Sequence, residues 1–150
     1  MILPDANLLL YAYDAASPHH PRAKKWWELV LSGDEPVGLC AAVVMAFIRL
    51  GTHPRVFENP FTVGEASGHI RSWLKQPICD FIIFEEMDFQ RSIELLEDAG
   101  TGGNLTTDSQ LAALALRLKA TVYSADTDFA RFPKLRWVNP LDGAAHKTKA

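Results

Sequence analysis

The sequence predicts an α/β fold, with a central, mainly parallel sheet and helices on both faces. Short apolar strands alternate with helical segments along the whole chain, the rhythm of consecutive βαβ units. Residues 81–84 (Phe-Ile-Ile-Phe) form a continuous apolar run, as expected of a strand covered on both faces. Pro, Gly and Asn punctuate the joints between segments.

Residues 1–4 are a brief strand ending at Asp5, and 6–13 start a helix. Pro18-His19-His20-Pro21 is a loop and helix entry, followed by a helix that carries Trp26, Trp27, Leu29 and Val30 up to Gly33. Residues 37–39 are a second strand. Residues 41–50 are apolar almost all round, which predicts a buried helix. His53-Pro54 ends it, and Asn59-Pro60 leads into an amphipathic helix over 62–75. After the 81–84 strand, a helix over 88–99 stops at Gly100. Gly102-Gly103-Asn104 is a turn, and Thr106 is the expected cap of a helix with Leu111, Ala112, Leu114, Ala115 and Leu118 on its apolar face. Residues 121–123 are another strand and 137–138 the last; 143–150 read as a frayed, small and polar tail.

A chain of 150 residues, 48% hydrophobic and 22% charged, suits one domain with a real core and excludes disorder, coiled coil and collagen. The two cysteines, Cys40 and Cys79, are far apart and without zinc spacing, so they read as buried, reduced thiols. Met1 opens into Ile-Leu-Pro-Asp without a signal-peptide pattern, and the longest uncharged run falls short of the ~20 residues of a membrane span. The expectation is a soluble, cytoplasmic protein. Its net charge of −3 argues against a polyanionic substrate, until the acids are placed.

Ligands of open α/β sheets bind outside the carboxyl ends of the strands. Asp5 follows the first strand, Asp126 and Asp128 follow the 121–123 strand, and Asp108 lies in the first turn of the helix after the Gly-rich turn. Each has a structural role open to it: Asp5 as a helix cap, Asp108 as a partner of the helix dipole, Asp126 and Asp128 as turn formers. Converging together they mean more. Two carboxylates ~4 Å apart at an effective dielectric near 20 repel by roughly 4 kcal/mol, or about three pKa units. Such a cluster holds protons or hard divalent cations, and an all-oxygen donor set selects Mg²⁺ or Mn²⁺ over Zn²⁺. Without these four acids the chain carries 15 basic residues against 14 acidic ones.

Beyond the acids, five stretches follow a known pattern: Ile2-Leu-Pro-Asp5-Ala-Asn7, Phe47-Ile-Arg49-Leu-Gly-Thr-His-Pro54, Gly103-Asn104-Leu-Thr-Thr-Asp108, Ser124-Ala-Asp126-Thr-Asp128-Phe129-Ala-Arg131 and Leu135-Arg-Trp137-Val. In this order and spacing, over residues 1–142, they resemble PIN domains, and among them the VapC toxins of bacterial toxin–antitoxin pairs. The resemblance implies a three-layer α/β/α PIN-like fold over 1–142 with a flexible tail over 143–150. It also implies a Mg²⁺-dependent endoribonuclease, with Mn²⁺ as a substitute, that hydrolyses RNA. The expected partners are a second copy of the chain and a VapB-type antitoxin, with no membrane. By position, Asp5 and Asp108 would be the principal metal ligands, Asp126 would complete the pocket, and Asp128 would be a nearby ligand or water-holding group. Asn7, Asn104, Thr107 and Ser124 would orient these carboxylates, or else make cap and turn hydrogen bonds.

One position departs from the family pattern. Most PIN nucleases place a glutamate just before the Phe-x-Arg element, where this chain has Ala46; Glu58 and Glu65 lie beyond the helix break. The alternative is therefore a PIN-fold module that binds RNA or antitoxin with weak chemistry or none. Arg49 is placed either to contact phosphate or to form a surface ion pair. Arg131, Lys134 and Arg136 are the expected guides of the RNA backbone. Arg22, Lys24 and Lys25 beside Trp26 and Trp27 read as an RNA-stacking surface, an antitoxin groove, or a solvated helix face with Trp in the core. His19 and His20 are adjacent and make a poor metal pair. A haloacid-dehalogenase-like reading of Asp126-Thr-Asp128 fails because only 22 residues follow Asp128.

Overall fold

β1 (Ile2–Pro4) is fully buried and pairs in parallel with β2 (Val37–Cys40) on one side and β4 (Thr121–Tyr123) on the other. The computed structural model describes residues 1–142 and, for the backbone alone, 144–147. The sheet runs β3-β2-β1-β4-β5-β6, with β3 at Cys79–Ile82, β5 at Arg136–Asn139 and β6 at Ala144–Lys147. All neighbours are parallel except β5 and β6, which are antiparallel. The chain moves outward from β1 to β3 and returns to β4 beside β1. The β1/β4 junction is thus the switch point where the sheet opens a crevice.

α1 (Ala6–Tyr13) buries Ala6, Leu8, Leu9, Leu10 and Ala12, so nearly its whole circumference is core. It packs against α2 (His20–Leu31) and α3 (Ala41–Gly51), and α3 packs against α4 (Val63–Leu74). α5 (Glu86–Ala99) and α6 (Leu105–Leu118) pack against each other, and α6 also contacts β4 and α3. Thr62 and Glu65 close a reciprocal capping box at the start of α4. Trp73, Phe47 and Tyr13 form an aromatic cluster at the α1/α3/α4 contact, where the Trp73 indole N–H donates to the Tyr13 hydroxyl at 2.8 Å. Cys40 and Cys79 are buried free thiols. No helix among the described residues is long and apolar enough to cross a membrane.

Several boundaries differ from expectation. The third strand starts at Cys79, because β2 offers pairing only from Val37 to Cys40, opposite Cys79 to Ile82. It is an edge strand rather than one covered on both faces: Phe81 is 44% exposed, and Ile83 and Phe84 continue past the last paired residue. α3 buries Val43, Val44 and Phe47 but leaves Ala41, Met45 and Arg49 exposed, so it is not buried all round. α5 starts at Glu86, two residues before the predicted start, since Glu85 caps it in a capping box with Asp88. α6 begins at Leu105 after Asn104, which makes no side-chain cap, and Thr106 lies inside its first turn. Where a frayed tail was expected, Ala144–Lys147 pairs with β5; residues 143 and 148–150 lie outside the described residues.

Gly38 stands where β1, β2 and β3 crowd together. A Cβ there would come within 2.5 Å of a Leu3 methyl and 2.9 Å of Ile82 Cγ1. Gly38→Ala is expected to destabilise the fold by roughly 1–3 kcal/mol, read as a lower denaturant midpoint at unchanged slope.

Candidate metal centre at the switch point

Asp5 leaves the carboxyl end of β1, and its backbone N–H donates to the Tyr123 carbonyl at 2.8 Å, which ties it to the end of β4. Its Oδ1 accepts from the Ala6 N–H at 2.7 Å, so the capping role is real. Its Oδ2 accepts from the Ser124 hydroxyl, also at 2.7 Å. Ser124 is fully buried, and its Oγ accepts in turn from the Asn7 amide at 3.2 Å and the Asp126 N–H at 3.0 Å. One hydroxyl therefore joins α1, the end of β4 and the loop beyond it. That loop is tightened by Asp126 Oδ1, which accepts from the Asp128 N–H at 2.9 Å and caps a short 3-10 turn over Thr127–Arg131.

Asp108 comes from the first turn of α6. Carboxylate oxygens of Asp108, Asp126 and Asp128 lie within 4.8 Å of one another. Asp5 is outside this triplet, yet its charge acts on Asp108. Burial, followed by the charges of Asp5, Asp126 and Asp128, pushes the Asp108 carboxyl up to about 7. Burial also raises Asp5, against the hydrogen bonds from Ser124 and Ala6, and the Asp126 charge adds to the rise. A cluster this reluctant to ionise in full fits a divalent cation. The donors are all carboxylate oxygens, each with lone pairs to spare, and no organised His or Cys joins them among the described residues. Cys40 ends β2 close enough to feel Asp5, but burial pushes its thiol up and keeps it neutral.

The other predicted residues divide. Asn7 and Ser124 hold the cluster together. Asn104 is exposed, with no cap hydrogen bond. Thr107 faces elsewhere: with Ala42, Met45, Ala46, Arg49 and Gln110 it lines a groove of about 380 Å³ between α3 and α6. Ala46 thus borders open space, and no acid takes over its position: Glu65 is held in the α4 capping box, and Glu58 is exposed beyond the end of α3. Arg131 closes the 3-10 turn at the acidic end of the molecule and is exposed. Lys134 and Arg136 do not flank the acids. They border a cavity with Lys119 and Ala120, before the start of β4, and the Arg136 guanidinium donates to the Lys119 carbonyl. A two-residue alternation cannot tell which end of a strand a flanking cation serves.

The Trp pair goes to packing. Trp27 is buried, Trp26 stacks on Tyr123 at 5.7 Å, and Arg22 donates to the Leu141 carbonyl at 3.0 Å. His20 Nδ1 lies 2.9 Å from the Tyr11 carbonyl and His19 packs on the Tyr11 ring. Two features had no local signal: the place of Gln110 in the groove between α3 and α6, and a part-buried pair in which Arg117 Nε donates to Asp88 at 2.7 Å across the α5/α6 contact.

The PIN domain family model matches residues 2–135. The chain is 40% identical over 141 residues to Ribonuclease VapC33 of Mycobacterium tuberculosis, covering 94% of this chain and 99% of that protein. Its fold is similar to the crystal structure of VapC20 of M. tuberculosis, a toxin described as cleaving the sarcin–ricin loop (TM-score 0.68, 18% identity, 87% of this chain and 93% of that one). It is also similar to a chain of VapBC2 from Rickettsia felis bound to promoter DNA (TM-score 0.65, 20% identity, 93% and 98%). The acidic switch point, the three-layer fold and near-complete coverage of a curated relative agree: this chain belongs to the PIN-domain family and, within it, to the VapC ribonucleases.

Proposed function

We propose that this chain is the toxin of a type II toxin–antitoxin pair, a cytoplasmic endoribonuclease that hydrolyses RNA phosphodiester bonds with Mg²⁺, or Mn²⁺ in its place. The observation that carries the reading is the Asp108–Asp126–Asp128 triplet, with Asp5 beside it, at the switch point of a VapC fold. Those four carboxylates would hold the cation, which when bound would activate water and neutralise phosphate charge. Asn7 and Ser124 hold the Asp5 carboxylate and the Asp126 loop in one arrangement, so the acids need little reorganisation. Arg49 and Arg131 supply positive charge for the RNA backbone at the rim.

A VapB-type antitoxin is the proposed inhibitor, and the similarity to chains from VapBC complexes supports it. Self-association into a homodimer is proposed as well. Phe81 on β3, Ile83 and Phe84 just after it, and Met87, Phe89 and Ile93 on α5 are large exposed apolar side chains, the kind of surface that self-association covers.

The test is cleavage of RNA by purified protein across a Mg²⁺ and Mn²⁺ titration. Product that depends on the cation supports the reading. RNA binding without product at any concentration would favour the second reading, a binding module disarmed by Ala46. A further outcome follows from Asp108. Because it must give up a proton near pH 7 to hold a cation, the apparent Mg²⁺ affinity is expected to rise from pH 6 to pH 8, measured by calorimetry with proton release on binding.

A further inference from the structure

We propose that the groove between α3 and the first turn of α6 is a binding subsite for one unpaired nucleotide of the RNA beside the scissile phosphate. This rests on the nuclease reading above and extends it to what the protein grips. The groove has a volume of about 380 Å³, within the range of small-ligand sites. Its apolar lining is Ala42, Ala46 and the thioether of Met45, which is 59% exposed. A flat base covers such small side chains well, and a thioether is a favourable neighbour for an aromatic ring. The rest of its lining is polar. Among the described residues, the side chains of Arg49, Thr107 and Gln110 hydrogen-bond to no partner.

These three groups match the parts of a nucleotide. The Gln110 carboxamide offers a donor and an acceptor side by side, the pattern that reads the edge of an unpaired base. The Thr107 hydroxyl can serve the ribose or the base, and the Arg49 guanidinium the phosphate. Thr107, which lines the groove, and Asp108, of the carboxylate triplet, are consecutive in the first turn of α6 and about 100° apart around the helix, so the groove and the acids occupy neighbouring faces of that turn. A strand with a phosphate at the triplet would set a neighbouring nucleotide at the groove.

Ala46 gains a meaning here. A glutamate at this position would narrow the groove and add a negative charge to its lining. Alanine leaves the groove neutral and open.

The experiment measures binding of short fluorescein-labelled single-stranded RNA, with Ca²⁺ in place of Mg²⁺, for intact strands and strands with an abasic site at successive positions. In the wild type, one abasic position is expected to weaken binding about tenfold, the loss of one base from the groove. Ala46→Phe fills the groove and Gln110→Ala removes its reading group. Each should weaken intact RNA by a similar factor and make that abasic replacement silent, with Mn²⁺ affinity and melting temperature unchanged. Arg49→Ala should lower the salt slope of binding by about one. Equal sensitivity at every abasic position, or a sensitivity that survives both groove variants, overturns the subsite even if Mg²⁺-dependent cleavage is intact. Cleavage that is absent while one abasic position remains sensitive overturns the nuclease reading alone. Variants that dissociate a dimer in light scattering without changing RNA binding overturn the subsite in favour of a self-association face.

Discussion

Asp108→Asn is expected to lower Mg²⁺-stimulated RNA cleavage by at least about a hundredfold while making the metal-free protein more stable. The two effects share one cause. Burial and three neighbouring carboxylates raise Asp108 from 3.8 to about 7, so the folded state holds a proton that the unfolded chain has released. The unfolded chain binds fewer protons than the native one between pH 4 and pH 7, and stability therefore falls as pH rises through that window. Above it the native protein carries the whole repulsion. Asn removes the charge and keeps the shape, a gain of roughly 1–2 kcal/mol at pH 8 once solvent screening is allowed for. Below pH 4 the difference should vanish. Added Mg²⁺ should reverse the ranking at pH 8, because only the wild type gains from binding. Melting curves of both proteins at pH 5 and pH 8, with and without Mg²⁺, check this. A variant less stable than wild type at pH 8 without metal would show that Asp108 is a structural group.

Arg117→Ala should have the largest effect on stability. Asp88 is 1% exposed; one oxygen accepts from Arg117 Nε at 2.7 Å and the other from the Glu85 N–H at 2.9 Å, at the start of α5. Arg117 also donates to the Ile83 carbonyl at 2.9 Å, just past the end of β3. This cation thus joins the end of the edge strand, the start of α5 and the last turn of α6. Removing it takes away two charge-assisted hydrogen bonds and leaves the Asp88 carboxylate without its cation at a part-buried site, which costs about 2–4 kcal/mol, a large part of the 5–15 kcal/mol that holds a domain folded. Replacing both partners, as in Asp88→Asn with Arg117→Met, should recover much of the loss. Denaturant midpoints of the single and double variants measure the coupling. Cleavage per folded molecule should stay at the wild-type level, since neither residue belongs to the acid cluster.

The strands, helices and acids of the site were legible because their signals are local. Asp5 directly follows an apolar strand, Asp108 opens a helix after a Gly-rich turn, and Asp126 and Asp128 follow another strand. In a parallel sheet, that placement alone sends all four to one edge. That Asn7 and Ser124 orient the carboxylates was legible only through the family resemblance, and the individual contacts were not legible at all. Nothing near Ser124 indicates that its hydroxyl would meet Asp5 and Asn7, both more than 115 residues away in sequence. Nor does anything near Asp5 indicate that the tight carboxylate triplet would form without it.

By itself the sequence determined the layer architecture, the free thiols and the acidic edge, since strand alternation, helix periodicity and cap chemistry act over a few residues. Only the tertiary structure decided that β3 is an exposed edge and that Arg136 serves the opposite end of β4 from the acids. It also decided that Ala46 borders a groove shared with Gln110. Each of these depends on which segments become neighbours. That is settled by the packing of whole elements, about which a residue's own neighbours in sequence carry no information.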